Sequence, residues 1–213
     1  PTVPDPSTYD EAWTVLERYE LLSQVPPTVR AHLQQGRTGR RSETPKPGDP
    51  CFDRVHHHIV GSNRQAAQAA AERAGALGYL ALLLTTFVEG EAREVAKLAA
   101  ALVKGVRVHG DPLPAPACLV WGGETTVMVT GTGKGGRNQE LALSAALELE
   151  GIADFALMAL ATDGTDGPTD AAGAVIDGST VARARSLGLS PEAALLNHDA
   201  YPLLAVVDDL LML

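Results

Sequence analysis

The chain has 213 residues, with 17 Lys+Arg against 26 Asp+Glu and a formal charge of −9, a balance that opposes attachment to polyphosphate backbones or anionic membranes. Apolar residues reach 45 % while the aromatics are three Phe, two Trp and four Tyr, so the core has to be built from Ala, Leu and Val, which suits α/β layers better than a sandwich. Cys51 and Cys118 are too few and too far apart for a disulfide framework or zinc ribbon, no run of 18 apolar residues occurs, and Pro1 to Asp10 lacks a signal-peptide layout. A cytoplasmic protein with no nucleic-acid and no membrane partner is expected. The opening Pro and the closing Leu210-Leu211-Met212-Leu213 lead us to expect a segment of something longer.

In chain order, Thr8-Tyr9-Asp10-Glu11 fits a capping box ahead of a helix reaching about Ser23. Pro26 and Pro27 open a second helix that ends near Gly36. From Gly36 to Pro50, glycines and prolines alternate with Arg37, Arg40, Arg41 and Lys46, without hydrophobic period: a loop whose cations could touch a phosphate or simply be solvated. Val55 to Val60 reads as a strand, Ser62 to Gln65 as a second capping box before an Ala-rich helix, and Tyr79 to Leu84 as an apolar strand. Glu89 and Glu91 sit where a helix start favours negative charge, ahead of the stripe Val95, Leu98, Ala99 and Leu102. Ala117 to Trp121 and Thr125 to Thr130 are expected as two strands with a tight bend at Gly122-Gly123-Glu124. An Ala/Leu helix to about Glu150, a strand from Phe155 to Ala161 and two short helices, capped near Ser179 and Ser190, complete the pattern. The alternation predicts an α/β fold, with helices layered on a mostly parallel or mixed sheet.

The segment Gly131-Thr132-Gly133-Lys134-Gly135-Gly136, followed by Arg137-Asn138, joins a strand to a helix start. Its glycines allow amides to crowd around an anion, and the helix start adds positive potential. Gly135 stands where a P-loop has Ser or Thr, which disfavours a Walker-type site; G-x-G-x-x-G alone leaves a dinucleotide site open, as it does an ordinary Gly-rich turn. Asp163 and Asp166, in the Thr162 to Thr169 turn, could hold a magnesium ion or could bond their own backbone in Asx turns. Glu124 needs a partner such as Arg137 or a ligand hydroxyl. Asn63 could face the same cleft, although capping accounts for much of its turn. His56, His57 and His58 alternate faces on a strand, so a structural role is favoured over a metal site. No nucleophile elbow or H-E-x-x-H occurs.

Gly122 to Thr126, Gly133 to Glu140 and Thr162 to Thr169 together resemble the class II glycerate kinase family, specifically its C-terminal MOFRL domain. Pro1-Thr2-Val3, Val60 to Asn63 and Asn197 to Tyr201 extend the resemblance over nearly the whole chain, which corresponds to the family's second half. The resemblance implies a two-lobed kinase that uses ATP and Mg2+ to phosphorylate D-glycerate, typically to 2-phosphoglycerate, although some members have been called hydroxypyruvate reductases. It assigns residues 1–53 to a remnant of the missing N-terminal lobe plus linker, and 54–213 to the C-terminal domain with a MOFRL-like core at about 115–213. Carried over, Arg137, Lys134 and Glu124 are the catalytic candidates. Gly131, Gly133, Gly135, Gly136, Asn138 and Asn63 are the nucleotide- or phosphate-binding candidates, and Asp163 and Asp166 the metal ligands. Without the other lobe the fragment is expected to be inactive. NAD(P)H-dependent hydroxypyruvate reduction and a non-catalytic anion-binding domain are the alternatives.

Overall fold

The computed structural model describes residues 2–213, so Pro1 of the opening motif lies outside the described residues. The chain divides into two compact units, one ending at Val60 and the other running from Gly61 to Leu213.

In the first unit the capping box forms as expected. Thr8 accepts from the Glu11 amide, and Glu11 reaches back to the Thr8 amide at 2.8 Å, which starts α1 (Tyr9–Arg18). α2 (Pro27–Arg37) carries its proline in the first turn, where the missing N–H costs nothing. Gly36 lies against the Tyr9 ring, whose Cδ2 would be 2.1 Å from a Cβ added there, and Arg37 closes the pair on Asp10 at 2.7 Å. Val55–Val60 is exposed and forms no strand, because β-branched residues make a strand only against a neighbour's hydrogen-bonding edge. His56, His57 and His58 are exposed with it.

In the second unit Ser62 caps α3 (Asn63–Ala76), and β1 (Leu80–Glu91), α4 (Ala92–His109), β2 (Ala117–Thr126) and α5 (Arg137–Glu148) follow. β1 and β2 pair in parallel, from Leu80 opposite Ala117 to Glu91 opposite Thr126. Two expectations are corrected here. Glu89 lies inside β1 rather than in a helix start, and Gly122-Gly123-Glu124 does not bend but continues β2. Gly123 explains the second: the Val88 carbonyl passes 2.0 Å from its missing Cβ, so the glycine admits a neighbouring backbone instead of making a turn. Beyond α5, β3 (Leu157–Leu160), β4 (Gly173–Ile176) and β5 (Leu210–Leu211) form an antiparallel sheet in that order, interleaved with α6 (Thr180–Ser186), α7 (Pro191–Leu196) and α8 (Ala200–Val206). The architecture is α/β with mixed sheet pairing.

α5 is the centre of this unit. Leu141, Ala142, Leu143, Ala145 and Ala146 are buried around it, together with Ala92, Ala96, Ala99 and Ala100 of α4, Ile176 of β4 and Leu204 of α8. The small residues on α4 let the two helix backbones approach closely, and burial on most faces fixes α5's axis. Its N-terminus is thereby held rigidly at the edge of the core. Among the described residues no helix is long and apolar enough to cross a membrane.

Candidate functional site

Two segments converge on the start of α5, while Asn63 lies against the β1–β2 pair. β2 delivers Glu124 near its carboxyl end, and Glu124 Oε1 meets Arg137 Nη1 at 2.8 Å with both side chains reaching solvent. Asn63, first residue of α3, donates Nδ2 to the Thr86 carbonyl at 3.2 Å and lies over Gly122, whose Cβ position would be 2.2 Å from Asn63 Oδ1. The 162–169 turn supplies Asp166 and Thr169 from the other side.

The glycine segment is used differently from a simple anion cradle. The amides of Thr132 and Gly133 donate to Asn197 at 3.2 and 2.9 Å, and that of Lys134 to Asp199 Oδ1 at 2.8 Å. The Cβ positions of Gly131 and Gly133 would each be 2.5 Å from the Asn197 carbonyl, so these two glycines exist to let the 197–199 segment pack against the loop. Gly135, Gly136 and Arg137 differ: among the described residues their amides make no hydrogen bond to the protein, leaving three donors at the head of α5. Lys134 is exposed, with its ammonium 4.3 Å from the Tyr201 ring centre. Tyr201 Oη donates to Asp170 at 2.7 Å, which holds the Asp170 carboxyl below its usual range and raises the Tyr201 hydroxyl.

Asp166 is only 1 % exposed, and both its oxygens are taken. Oδ1 accepts from the Asn138 amide at 3.2 Å and Asn138 Nδ2 at 3.0 Å, and Oδ2 accepts from the Gln139 amide at 2.8 Å. It caps α5 from a distant loop, satisfying donors the helix cannot satisfy itself and setting its charge against the positive end of the dipole. Gly136 makes this possible, since its Cβ position would be 2.2 Å from Asp166 Cγ. Asp163 is exposed, and its Oδ1 accepts from the Thr165 amide at 3.3 Å in an Asx turn. Among the described residues no group of three or more His, Cys, Asp or Glu is placed to hold a metal ion by itself, and Asp166 already has both oxygens bonded at the head of α5. Asn138, a phosphate-binding candidate, has its side chain engaged with Asp166.

Sequence reasoning missed a buried network beside the loop. Glu140, 3 % exposed, takes Arg93 Nε on Oε1 at 2.5 Å and His198 Nδ1 on Oε2 at 2.9 Å. His198 Nε2 in turn lies 3.1 Å from the Thr130 amide, and Arg93 also bonds the Leu195 carbonyl. One signal was present: Glu140 stands four residues into a helix whose other faces are apolar, a position at which a carboxylate requires a buried cation.

Residues 117–213 match the MOFRL family, and residues 1–34 match a domain of unknown function (DUF4147). The chain is 41 % identical over 212 residues to a glycerate 2-kinase of Pyrococcus horikoshii, covering 99 % of this chain and 47 % of that protein. The crystal structure of a glycerate kinase from Thermotoga maritima superimposes with a TM-score of 0.76 at 41 % identity, over 99 % of this chain and 48 % of that one. An Agrobacterium vitis protein bearing a hydroxypyruvate reductase name is 37 % identical over all of this chain and 47 % of its own length. Residues 117–213 thus match the MOFRL family, and nearly the whole chain is similar to about half of the glycerate kinases it matches. The chain spans about half the length of the relatives it matches.

Proposed function

We propose that this chain is part of a kinase that transfers a phosphoryl group from ATP to D-glycerate, yielding 2-phosphoglycerate, and that the head of α5 is its phosphate-facing edge. One observation carries the reading: Arg137, paired with Glu124 at 2.8 Å, stands beside the three unpaired amides of Gly135, Gly136 and Arg137 itself. Phosphoryl transfer demands little covalent chemistry of a protein; it demands donors and cations fixed where charge spreads over the moving group. In this reading Arg137 and Lys134 supply the charge, the three amides supply directed donors, and Glu124 orients a substrate hydroxyl once the incoming anion draws Arg137 away from it. Asn63 borders the same end of β1 and β2. No step is assigned to magnesium; of the two carboxylates expected to meet it, Asp163 is exposed and Asp166 caps α5. The remaining half of a full-length relative would provide the opposing lobe, and the 213-residue chain alone would be inactive. Residues 1–53 would belong with that lobe. A cytoplasmic setting belongs to the same reading, since Cys51 and Cys118 are free thiols.

The name of the Agrobacterium vitis relative favours a second reading, NAD(P)H-dependent hydroxypyruvate reduction. Assay of the full-length protein with D-glycerate and ATP, and separately with hydroxypyruvate and NADH, separates the two. ATP-dependent formation of 2-phosphoglycerate is expected; reductase turnover without it would replace the kinase reading.

A further inference from the structure

We infer that His198 is a positioning residue that fixes the root of the glycine loop, and through it the place of Lys134 and of the three open amides; the consequence for phosphate rests on the reading above, the role in the loop does not. The imidazole is 7 % exposed; Nδ1 lies between Glu140 Oε2 at 2.9 Å and Arg93 Nη2 at 3.0 Å, and Nε2 faces the amide and hydroxyl of Thr130. Nε2 lies 3.1 Å from the Thr130 amide, which can only donate, and 3.2 Å from the Thr130 hydroxyl, which can turn its proton toward the ring, so a bare Nε2 satisfies both contacts. The ring proton is then on Nδ1, directed at Glu140 Oε2 at 2.9 Å, while Arg93 Nη2, 3.0 Å from Nδ1, donates to the Leu195 carbonyl instead. Charge balances without the histidine: Glu140 is neutralised by Arg93 at 2.5 Å, so a neutral His198 adds no unpaired buried charge.

The location of His198 makes this acceptor consequential. Its φ of 56° is in the left-handed region, and its neighbours Asn197 and Asp199 accept the amides of Thr132, Gly133 and Lys134. The first half of the glycine loop is thus tied to three consecutive residues, and His198 is the one of them anchored to α5, through Glu140, and by way of Arg93 to the start of α4. Gly135 and Gly136 follow directly from the pinned half. Removing the Nε2 acceptor should release the loop's root while the Arg93–Glu140 pair keeps the helices tied.

Three measurements test this. In the 213-residue chain, 15N NMR of the His198 ring is expected to show a bare Nε2 and a protonated Nδ1; a proton on Nε2 would overturn the inference. Amide hydrogen exchange then compares His198→Leu with His198→Gln, whose carboxamide oxygen can occupy the Nε2 position. For the Leu variant we expect at least about tenfold faster exchange at Thr130, Thr132, Gly133 and Lys134 with Leu143 and Ala146 of α5 unchanged, and recovery in the Gln variant. Unchanged exchange at the loop, uniform loss across α5, or a Gln variant as damaged as the Leu variant would each refute the role. If the Leu variant fails to fold, the ring measurement and the Gln variant, which must retain loop protection, decide the matter. In the full-length enzyme the Leu variant is expected to raise KM for ATP at least about tenfold with a smaller change in kcat. Altered exchange with unaltered ATP kinetics would uphold His198 as the loop's anchor and overturn its link to phosphate binding.

Discussion

At the scale of single residues, charge and burial separate roles that spacing could not. Asp163 and Asp166 look alike in sequence, yet one is exposed and the other is 1 % exposed with three donors on its carboxylate. Asp166→Ala would strand the Asn138 and Gln139 amides at a buried helix end, so a loss of about 2 kcal/mol is expected in urea denaturation, whereas Asp163→Ala should cost less than about 0.5 kcal/mol. Equal effects would show that Asp166 is not the cap of α5. Arg137 behaves oppositely, since its ion pair to Glu124 is exposed and contributes little to stability. Arg137→Ala should leave the unfolding midpoint nearly unchanged and, in the full-length enzyme, lower kcat at least about a thousandfold, the scale of removing a group that stabilises transferred charge. Unchanged turnover removes Arg137 from the mechanism. The motif Gly133 to Glu140 was legible because it is contiguous; Arg93 and His198 were not, because they reach Glu140 from positions 47 and 58 residues away along the chain.

At the scale of elements, what could be read from sequence is what is decided locally. The box at Thr8 and the Ser190-Pro191 start cap helices where expected, and Ser62 caps α3 although Gln65 does not return the bond of a full box, because capping involves residues two or three apart. The strand at Val55–Val60 and the bend at Gly122-Gly123 failed because pairing is decided by a distant neighbour, and β4 and β5 are too short to show a period. α6 offers a local test. Asp177 Oδ1 accepts the Ser179 amide and hydroxyl at 2.7 Å each, and Arg183 Nη1 at 3.1 Å, which depress its carboxyl below the ordinary 3.8. A depressed folded pKa contributes stability that is complete above the unfolded value and lost as pH falls through the folded one. The wild-type unfolding midpoint should therefore decline as pH falls below about 4, while Asp177→Asn, about 0.5–1 kcal/mol less stable near neutrality, should converge on it in acid. Parallel curves would mean that another carboxylate governs the acid limb.

At the scale of the molecule, β1 and β2 stand out as a parallel pair of strands packed mainly against α3, with exposed apolar residues left over. Phe87 on β1 is 85 % exposed, Met128 just after β2 76 %, and Leu80 at the start of β1 47 %. A stable parallel sheet has further strands or helices on its faces, and the relatives are about twice the length of this chain. If the other half of such a protein provides that cover, the 213-residue chain should expose an apolar surface that the full-length protein hides. The dye 1-anilinonaphthalene-8-sulfonate reads this directly: it should brighten on the native 213-residue chain, brighten less on Phe87→Ser, and stay dim on the full-length protein under the same buffer. The Phe87→Ser change should not lower the unfolding midpoint of the 213-residue chain, since a side chain already in water loses no burial when shortened. In the full-length protein the same substitution should cost about 2 kcal/mol or more, because there the ring would be buried. A dim native chain, or a full-length protein indifferent to Phe87→Ser, would place the missing cover elsewhere and leave β1 and β2 as a free-standing pair.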